Sequence, residues 1–399
     1  MSDPQHHDFL IVGAGMAAHA AATGIRAEGA TGSIAILGAE VDPPVERPQL
    51  SKDLWGTDDR DGAGAIRDTA GETGATLHLG DPVVAVDVER RVVRTAAGAE
   101  HSYGALLLAT GGTPRTIDGL PAGDRVVHFR TLADYRHLRA LAEQEPAPRI
   151  AVVGAGFIGT EIAAALSGTP ATVVLVHPGE QVGDHAFPPA ITSQIEQELT
   201  RRDVVLRGGA GVERGEVAAG GVVLHLDDGT TLEADAVVVG LGVTPATGFL
   251  GDAVTLDDDG GVVIDSHLAT SAAHVWAAGD IARYPDPVLG STRVEHVDNA
   301  TSMGEAAGRA MAGARDLYDH TPIFWSDIGD LGYEAVGTLS TRLTTVVDAV
   351  GDGTVVYYLD DERVRGVLLW NVWDRADEAV KVLAEERPAD PEALRGRIG

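Results

Sequence analysis

Short apolar runs that end in glycine set the rhythm of this chain. The first, Phe9 to Val12, runs straight into Gly13-Ala14-Gly15 and then into an Ala-rich stretch. That order predicts a buried strand, a tight turn and a helix. The same succession recurs at Arg149 to Gly159, a domain's length further on, so each copy reads as the opening strand–turn–helix of a doubly wound sheet. Strand-like runs follow each copy: Ser33–Leu37, Val83–Val88 and Ala105–Ala109 after the first, and Ala171–Val176, Val222–Leu226, Ala236–Val239, Val262–Ile264 and Val275–Ala278 after the second. Strands alternating with helical stretches predict parallel sheets. From about Phe324 the pattern changes. Leu343–Val350, Thr354–Leu359 and Val364–Trp370 read as an antiparallel meander, closed by a helix over Glu378–Glu385. Boundaries are expected near Gly111, Gly242 and Pro322, with the Pro/Asp-rich tail after Arg387 loosely held.

Composition narrows the chemistry. A chain of 399 residues exceeds one compact core, and two to three domains are expected. No apolar run approaches the roughly 18 residues of a membrane-spanning helix. No signal peptide precedes the first strand, which makes the cytoplasm the default compartment. There are no cysteines, so disulfides, thiolate metal sites and redox-active thiols are excluded. The formal charge of −30 disfavours nucleic acid and anionic membranes as partners. It reads as solubility in a salty cytoplasm or as steering toward a basic partner; composition leaves both open. His6 and His7 read as a disordered start with no metal site.

The two glycine turns carry the candidate chemistry. In Gly13-Ala14-Gly15-Met16-Ala17-Ala18 the first glycine allows the tight turn and the second lets backbone N–H groups reach a pyrophosphate. The third position needs a small residue for helix–strand packing, which Ala18 provides. An acid is expected at the end of the next strand to bind ribose hydroxyls, and Glu40 follows Ser33–Leu37 at that distance. The second copy, Gly154-Ala155-Gly156-Phe157-Ile158-Gly159, has all three glycines. There His177 takes the usual acidic position and Glu180 lies three residues on, with no arginine close behind to grip a 2′-phosphate; NAD is favoured over NADP. Two dinucleotide sites in one chain suggest a flavin and a nicotinamide that exchange electrons. Leu106 to Gly112, and Val275-Trp276-Ala277-Ala278-Gly279-Asp280, add two strands that end in glycine turns. Asp280 reads either as a ligand of a polyol chain or as an ordinary helix cap.

Further segments complete the pattern: Arg47-Pro48-Gln49-Leu50-Ser51-Lys52-Asp53-Leu54-Trp55, Ala109 to Pro114, Phe129-Arg130, Gly159-Thr160-Glu161, Val239 to Gly242, Val294-Glu295-His296, Phe324-Trp325-Ser326-Asp327 with Gly332-Tyr333-Glu334, and Leu369-Trp370-Asn371. On these segments the sequence resembles the FAD-dependent pyridine nucleotide reductases of the ferredoxin reductase class, and within them the bacterial relatives of apoptosis-inducing factor. The resemblance implies an α/β fold of glutathione-reductase type with two Rossmann-like dinucleotide-binding domains. Residues 1–111 and 243–322 would form the FAD domain, 112–242 the NAD(P) domain, and 323–399 a C-terminal α+β domain. It implies an FAD set of Gly13, Gly15, Met16, Ala17, Ala18, Glu40, Arg47, Lys52, Val84, Arg130, Gly279, Asp280, His296, Val297 and Trp325. Trp325 stacks on a cofactor ring or fills a domain interface; both readings stand. The implied NAD set is Gly156, Phe157, Ile158, Gly159, Glu161, Glu180, Gly242, Glu295, Glu334 and Asn371. Lys52 and Glu161 match a Lys–Glu pair near flavin N5, and they are the catalytic candidates. Departures occur at Val45, Gln49 and Val297, where the family has Tyr, Pro and often Trp.

The resemblance further implies hydride transfer from NAD(P)H, NADH being favoured, to FAD, and onward electron transfer to a ferredoxin-type iron–sulfur protein. Two alternatives remain: an NADH oxidase or quinone reductase that needs no protein partner, and an NADH-sensing switch of the apoptosis-inducing-factor type. A homodimer is compatible with each.

Overall fold

The computed structural model describes residues 4–385 and 390–399. The chain forms two compact units. One contains residues 4–46, 64–113 and 244–322; the other contains Arg47–Ala63, Pro114–Val243 and Ile323–Gly399.

The first unit is built on a sheet in which Thr76–Leu79, Ile34–Gly38, Gln5–Val12 and Glu100–Leu108 lie side by side in parallel. Val275–Ala277 adds a further parallel strand on Leu106–Leu108. The antiparallel strands Val92–Thr95 and Val83–Asp87 extend the first half of Glu100–Leu108. Leu10, Ile11, Ile36, Leu106 and Leu107 are fully buried, as strands covered on both faces require. Helices Met16–Ala27 and Val297–Met311 pack against each other through small residues. A side chain at Gly304 would press into the carbonyl of Ala17, one at Gly308 into that of Ala21, and one at Gly24 into that of Glu305. The absence of Cβ atoms at these three points lets the two backbones meet.

The second unit contains a five-stranded parallel sheet in the order Val205–Arg207, Thr172–Val176, Arg149–Val153, Ala236–Val239, Val126–His128. A three-stranded antiparallel sheet, Val212–Ala218, Gly221–Leu226 and Thr231–Ala234, lays Val222, Leu224 and Leu226 on Ala151, Val153, Val237 and Val239. The C-terminal sheet has five strands, not three. Its order is Ile323–Ile328, Leu331–Gly337, Arg363–Trp370, Gly353–Asp360, Thr344–Val350, all antiparallel, with helix Ala376–Leu383 against it. The hairpin at Gly329–Asp330 adds the two strands that the apolar pattern alone does not separate.

Two expectations need correction. His6 and His7 do not belong to a disordered start. The first strand begins at Gln5, pairs His7 with Tyr103, and leaves His7 only 4% exposed. In the tail, residues 386–389 lie outside the described residues, and residues 390–399 are anchored. Leu394 and Ile398 are buried, Arg395 donates to the Val347 carbonyl, and the Gly396 N–H donates to Asp348. Among the described residues, no helix is long and apolar enough to cross a membrane.

The close helix pair yields a stability prediction. Gly308→Ala should destabilise the protein by about 1–3 kcal/mol, the usual range for overpacking, because the obstacle is backbone that cannot rotate away. Gly220→Ala, where an added methyl meets nothing within 4 Å, should leave the melting temperature nearly unchanged. Equal melting temperatures for the two variants would refute the packing argument.

Candidate functional site

In the first unit the parallel strands deliver three turns to one edge of the sheet. Val12 accepts from the Ala109 N–H (2.8 Å), and Leu108 accepts from the Ala278 N–H (3.0 Å). The Gly13, Thr110 and Gly279 turns are thereby neighbours at the carboxyl ends of the strands, where ligands of open α/β sheets bind. Gly13 has φ +108°, and any side chain there would collide with the Ala109 carbonyl. Gly15 stands at the start of helix Met16–Ala27. No side chain caps this helix and no acid occupies its first turn. The N–H groups of Met16 and Ala17 therefore have no helical partner, and the dipole has no competing anion, which fits a pyrophosphate. Ala18 is buried at the packing position. Glu40 is half-buried just past Ile34–Gly38.

Gly279 has φ +76° and opens a short turn carrying Asp280, whose carbonyl accepts from Arg293 (2.9 Å). Arg293 also pairs with Glu295 (3.0 Å) and Asp259 (3.1 Å). Glu295 is thus engaged within this unit. His296, half-buried, precedes helix Val297–Met311. Burial lowers its pKa to about 4 against the opposing pull of Asp280 and Asp298, so the ring is neutral at physiological pH. Val84 is 44% exposed on Val83–Asp87.

The second unit repeats the loop design. Gly154 has φ +102°, Gly156 begins helix Phe157–Leu166 without a side-chain cap, and a side chain at Gly159 would collide with the Gly154 carbonyl. Phe157 and Ile158 remain about two-fifths exposed beside this loop, at 41% and 43%. Gly242, with φ +79°, lies in the turn beyond the neighbouring strand Ala236–Val239. His177 does not stand where a ribose would meet it. It is 3% exposed, packed beneath Gly208, and its pKa is lowered by burial. Glu180 is exposed and is the acid this turn offers. Arg207, at the end of the adjacent strand, is tied to Asp228 (2.5 Å).

One turn inside that helix sits Glu161, 5% exposed and held by three donors. The Ser51 hydroxyl donates to Oε2 (2.6 Å), the Ser326 hydroxyl to Oε1 (2.6 Å), and Lys52 Nζ lies 3.3 Å from Oε1. Lys52 also reaches Asp327 (3.0 Å). Burial raises the Glu161 pKa, while Lys52 and the two hydroxyls oppose the rise. The segment bearing Lys52 is fixed in turn. Arg139 donates to the Leu54 carbonyl (2.8 Å) and the Thr57 carbonyl (2.9 Å), and the Tyr135 hydroxyl donates to the Asp59 carbonyl (3.0 Å). Arg47 donates to the carbonyl of Arg130 (2.7 Å).

Strand alternation sorts the C-terminal candidates. Ser326 and Tyr333 are cross-strand partners on the buried face, whereas Trp325 and Glu334 are partners on the other. Trp325 is 40% exposed on that other face. Glu334 is half-buried, and its pKa is raised by burial. Asn371, at φ +52°, spends its side-chain oxygen on the Gly332 N–H (3.1 Å), leaving its amide hydrogens to any ligand. Ser51 and Ser326 were missed as site residues, although each neighbours a residue that was singled out. Period-two alternation places Ser326 opposite Trp325 and could have found it.

Comparison with known proteins gives the family. A family model described as pyridine nucleotide-disulphide oxidoreductase matches residues 7–304, and one described as the C-terminal part of mitochondrion-associated apoptosis-inducing factor matches residues 307–351. The ferredoxin–NAD(+) reductase component of the anthranilate 1,2-dioxygenase system of Burkholderia cepacia is 34% identical, over 97% of this chain and 96% of that protein. A crystal structure of a ferredoxin reductase from Rhodopseudomonas palustris superposes with a TM-score of 0.84 at 28% identity, covering 96% of each chain. A covalent putidaredoxin reductase–putidaredoxin complex matches with the same score and identity, over 98% of this chain and 95% of that one. The chain belongs to the pyridine nucleotide-disulphide oxidoreductase family and is an FAD-dependent NAD(P)H oxidoreductase.

Proposed function

We propose that the protein oxidises NADH and passes the electrons singly to a small ferredoxin-type iron–sulfur protein. The reading rests chiefly on the buried Glu161 cluster, set one turn inside a helix that opens on an uncapped glycine loop. The names of relatives such as the Burkholderia reductase component support the choice of acceptor. FAD, when bound, supplies a hydride acceptor that can release electrons one at a time. The FAD pyrophosphate would rest on the Gly13–Ala18 loop, with Glu40 and Asp280 taking hydroxyl groups. Val84, Arg47, Arg130, His296, Val297 and Trp325 would line the rest. The nicotinamide nucleotide would use the Gly154–Gly159 loop and Glu180, with Glu334 and Asn371 toward its amide. Residues 1–111 with 243–322, 112–242 and 323–399 serve as the FAD, nucleotide and C-terminal parts.

Each residue of the cluster has a separate task. Lys52 supplies a fixed positive charge where negative charge develops during hydride transfer. Glu161 fixes the orientation of that charge, and Ser51 and Ser326 immobilise the carboxylate and oppose the rise in its pKa that burial causes. No thiol relay operates, because the chain has no cysteine despite the family's name. The proposed setting is the cytoplasm. The match of residues 307–351 to the apoptosis-inducing factor family favours one second reading, an NADH-sensing switch.

Anaerobic stopped-flow reduction followed by mixing with acceptors tests the proposal. Rapid bleaching by NADH and rapid reoxidation by ferredoxin are expected. Slow reduction that leaves a stable long-wavelength charge-transfer band would favour the switch, and fast turnover with oxygen or quinone alone would replace the ferredoxin. Lys52→Gln should slow flavin reduction by roughly 10²-fold, the scale for losing one preorganised charge-stabilising group. Ser326→Ala should shift the acidic limb of the pH–rate profile to higher pH, since it removes a hydrogen bond to the ionised form of Glu161; an unmoved limb would separate Ser326 from the mechanism. Reoxidation by an acidic ferredoxin should speed up as salt rises from low ionic strength, because a reductase of charge −30 repels it and salt screens the repulsion. A rate that falls with salt would instead reveal a basic docking patch.

A further inference from the structure

Three histidines far apart in sequence meet inside the first unit, outside every group assigned above. They are His7 on Gln5–Val12, His78 on Thr76–Leu79 and His101 on Glu100–Leu108. One ring nitrogen from each lies within 4.8 Å of the other two. His7 Nε2 is 3.1 Å from His101 Nδ1, and the ring centroids are 5.0–6.0 Å apart. His7 and His101 are buried and His78 is half-buried. The nitrogens are not satisfied by one another. One N–H···N bond can join His7 and His101, while His78 Nε2 is buried without a hydrogen-bond partner among the described residues. An orphaned imidazole nitrogen at that depth is destabilising unless something occupies the space it faces.

We propose that His7, His78 and His101 form a three-histidine site for a divalent transition cation, zinc being the best match, which ties three strands of the first unit together. Zinc binds imidazole nitrogen at about 2.0–2.1 Å in tetrahedral geometry. That geometry sets ligand nitrogens roughly 3.4 Å apart. The His7–His101 separation already meets this spacing, and the third ring closes by small side-chain rotations. The fourth position falls to water. The ligands are neutral nitrogens without thiolate or carboxylate, a set that suits zinc, copper or nickel and not magnesium or calcium. Burial and the neighbouring rings lower the pKa of His7 to about 4, and burial first, then His78, lowers that of His101. Asp81 acts on His101 from outside the cluster, and its carboxylate is held by the Ala97 N–H (2.9 Å).

The test uses the full-length, flavin-loaded protein after chelator treatment. Calorimetric titration with zinc alone should show one tight equivalent above the weak background of the acidic surface. Affinity should fall at least about tenfold in His78→Gln and in His101→Gln, and remain unchanged in His6→Gln, whose ring is on the exposed side and bonds Ser102. Cobalt substitution should give the intense visible bands of tetrahedral nitrogen coordination in a difference spectrum, lost in the same two variants. No tight equivalent, or one indifferent to both substitutions, overturns the proposal. If both variants fail to hold flavin, the wild-type cobalt spectrum decides alone, and weak octahedral bands overturn it.

Discussion

A carboxylate stripped of water must find donors or lose its charge, and much of the second unit is arranged around meeting that demand at Glu161. Two serine hydroxyls and an ammonium group converge on it from segments distant in sequence. The short segment Arg47–Ala63 has little core of its own and is held by Tyr135 and Arg139 from helix Leu132–Ala142. The hairpin Ile323–Gly337 is held by its own ladder and by an aromatic group of Phe157, Phe324, Tyr333 and Trp370. Remove either anchor and the buried carboxylate loses part of its set of donors. The cluster is therefore both a site and a reason why three stretches of chain fold as one unit.

The glycine loops impose a second constraint. A helix can present bare N–H groups to an anion only if no side chain caps it, so each loop gives up the stabilisation, about 1 kcal/mol, that a Ser or Asp cap would contribute. Both loops make the same sacrifice, and both place a small residue or none where helix and strand touch. In the first unit the economy of side chains extends to the second helix, whose glycines meet the backbone of Met16–Ala27 directly. Loss of local stability at the loops is offset by close packing behind them.

Much of this was legible in the sequence, for identifiable physical reasons. Parallel strands buried on both faces leave continuous apolar runs, so Ala105–Ala109 and Ala236–Val239 declared themselves, and the glycine turns marked their ends. The C-terminal sheet was read less well, because Ile323–Ile328 alternates Phe, Trp, Ser and Asp, and no apolar run marks it as a strand. His7 was misread for a related reason. A polar residue near a terminus looks solvated until the partner strand is known, and Tyr103 lies almost a hundred residues away. Ser51 and Ser326 went unnoticed since a serine matters here only through what it faces, and facing is a property of the fold.

His177 shows the same limit from the other side. It takes the place at the end of Thr172–Val176 where an acid is usual, and the turn carries it inward under Gly208 and leaves Glu180 outside. A side chain at the end of a parallel strand has two futures, and the choice is made by the glycine on the neighbouring strand's turn that does or does not leave room for it. Gly208 leaves room. The acid that this turn presents to solvent is Glu180, three residues later, while the neighbouring cation Arg207 is held by Asp228.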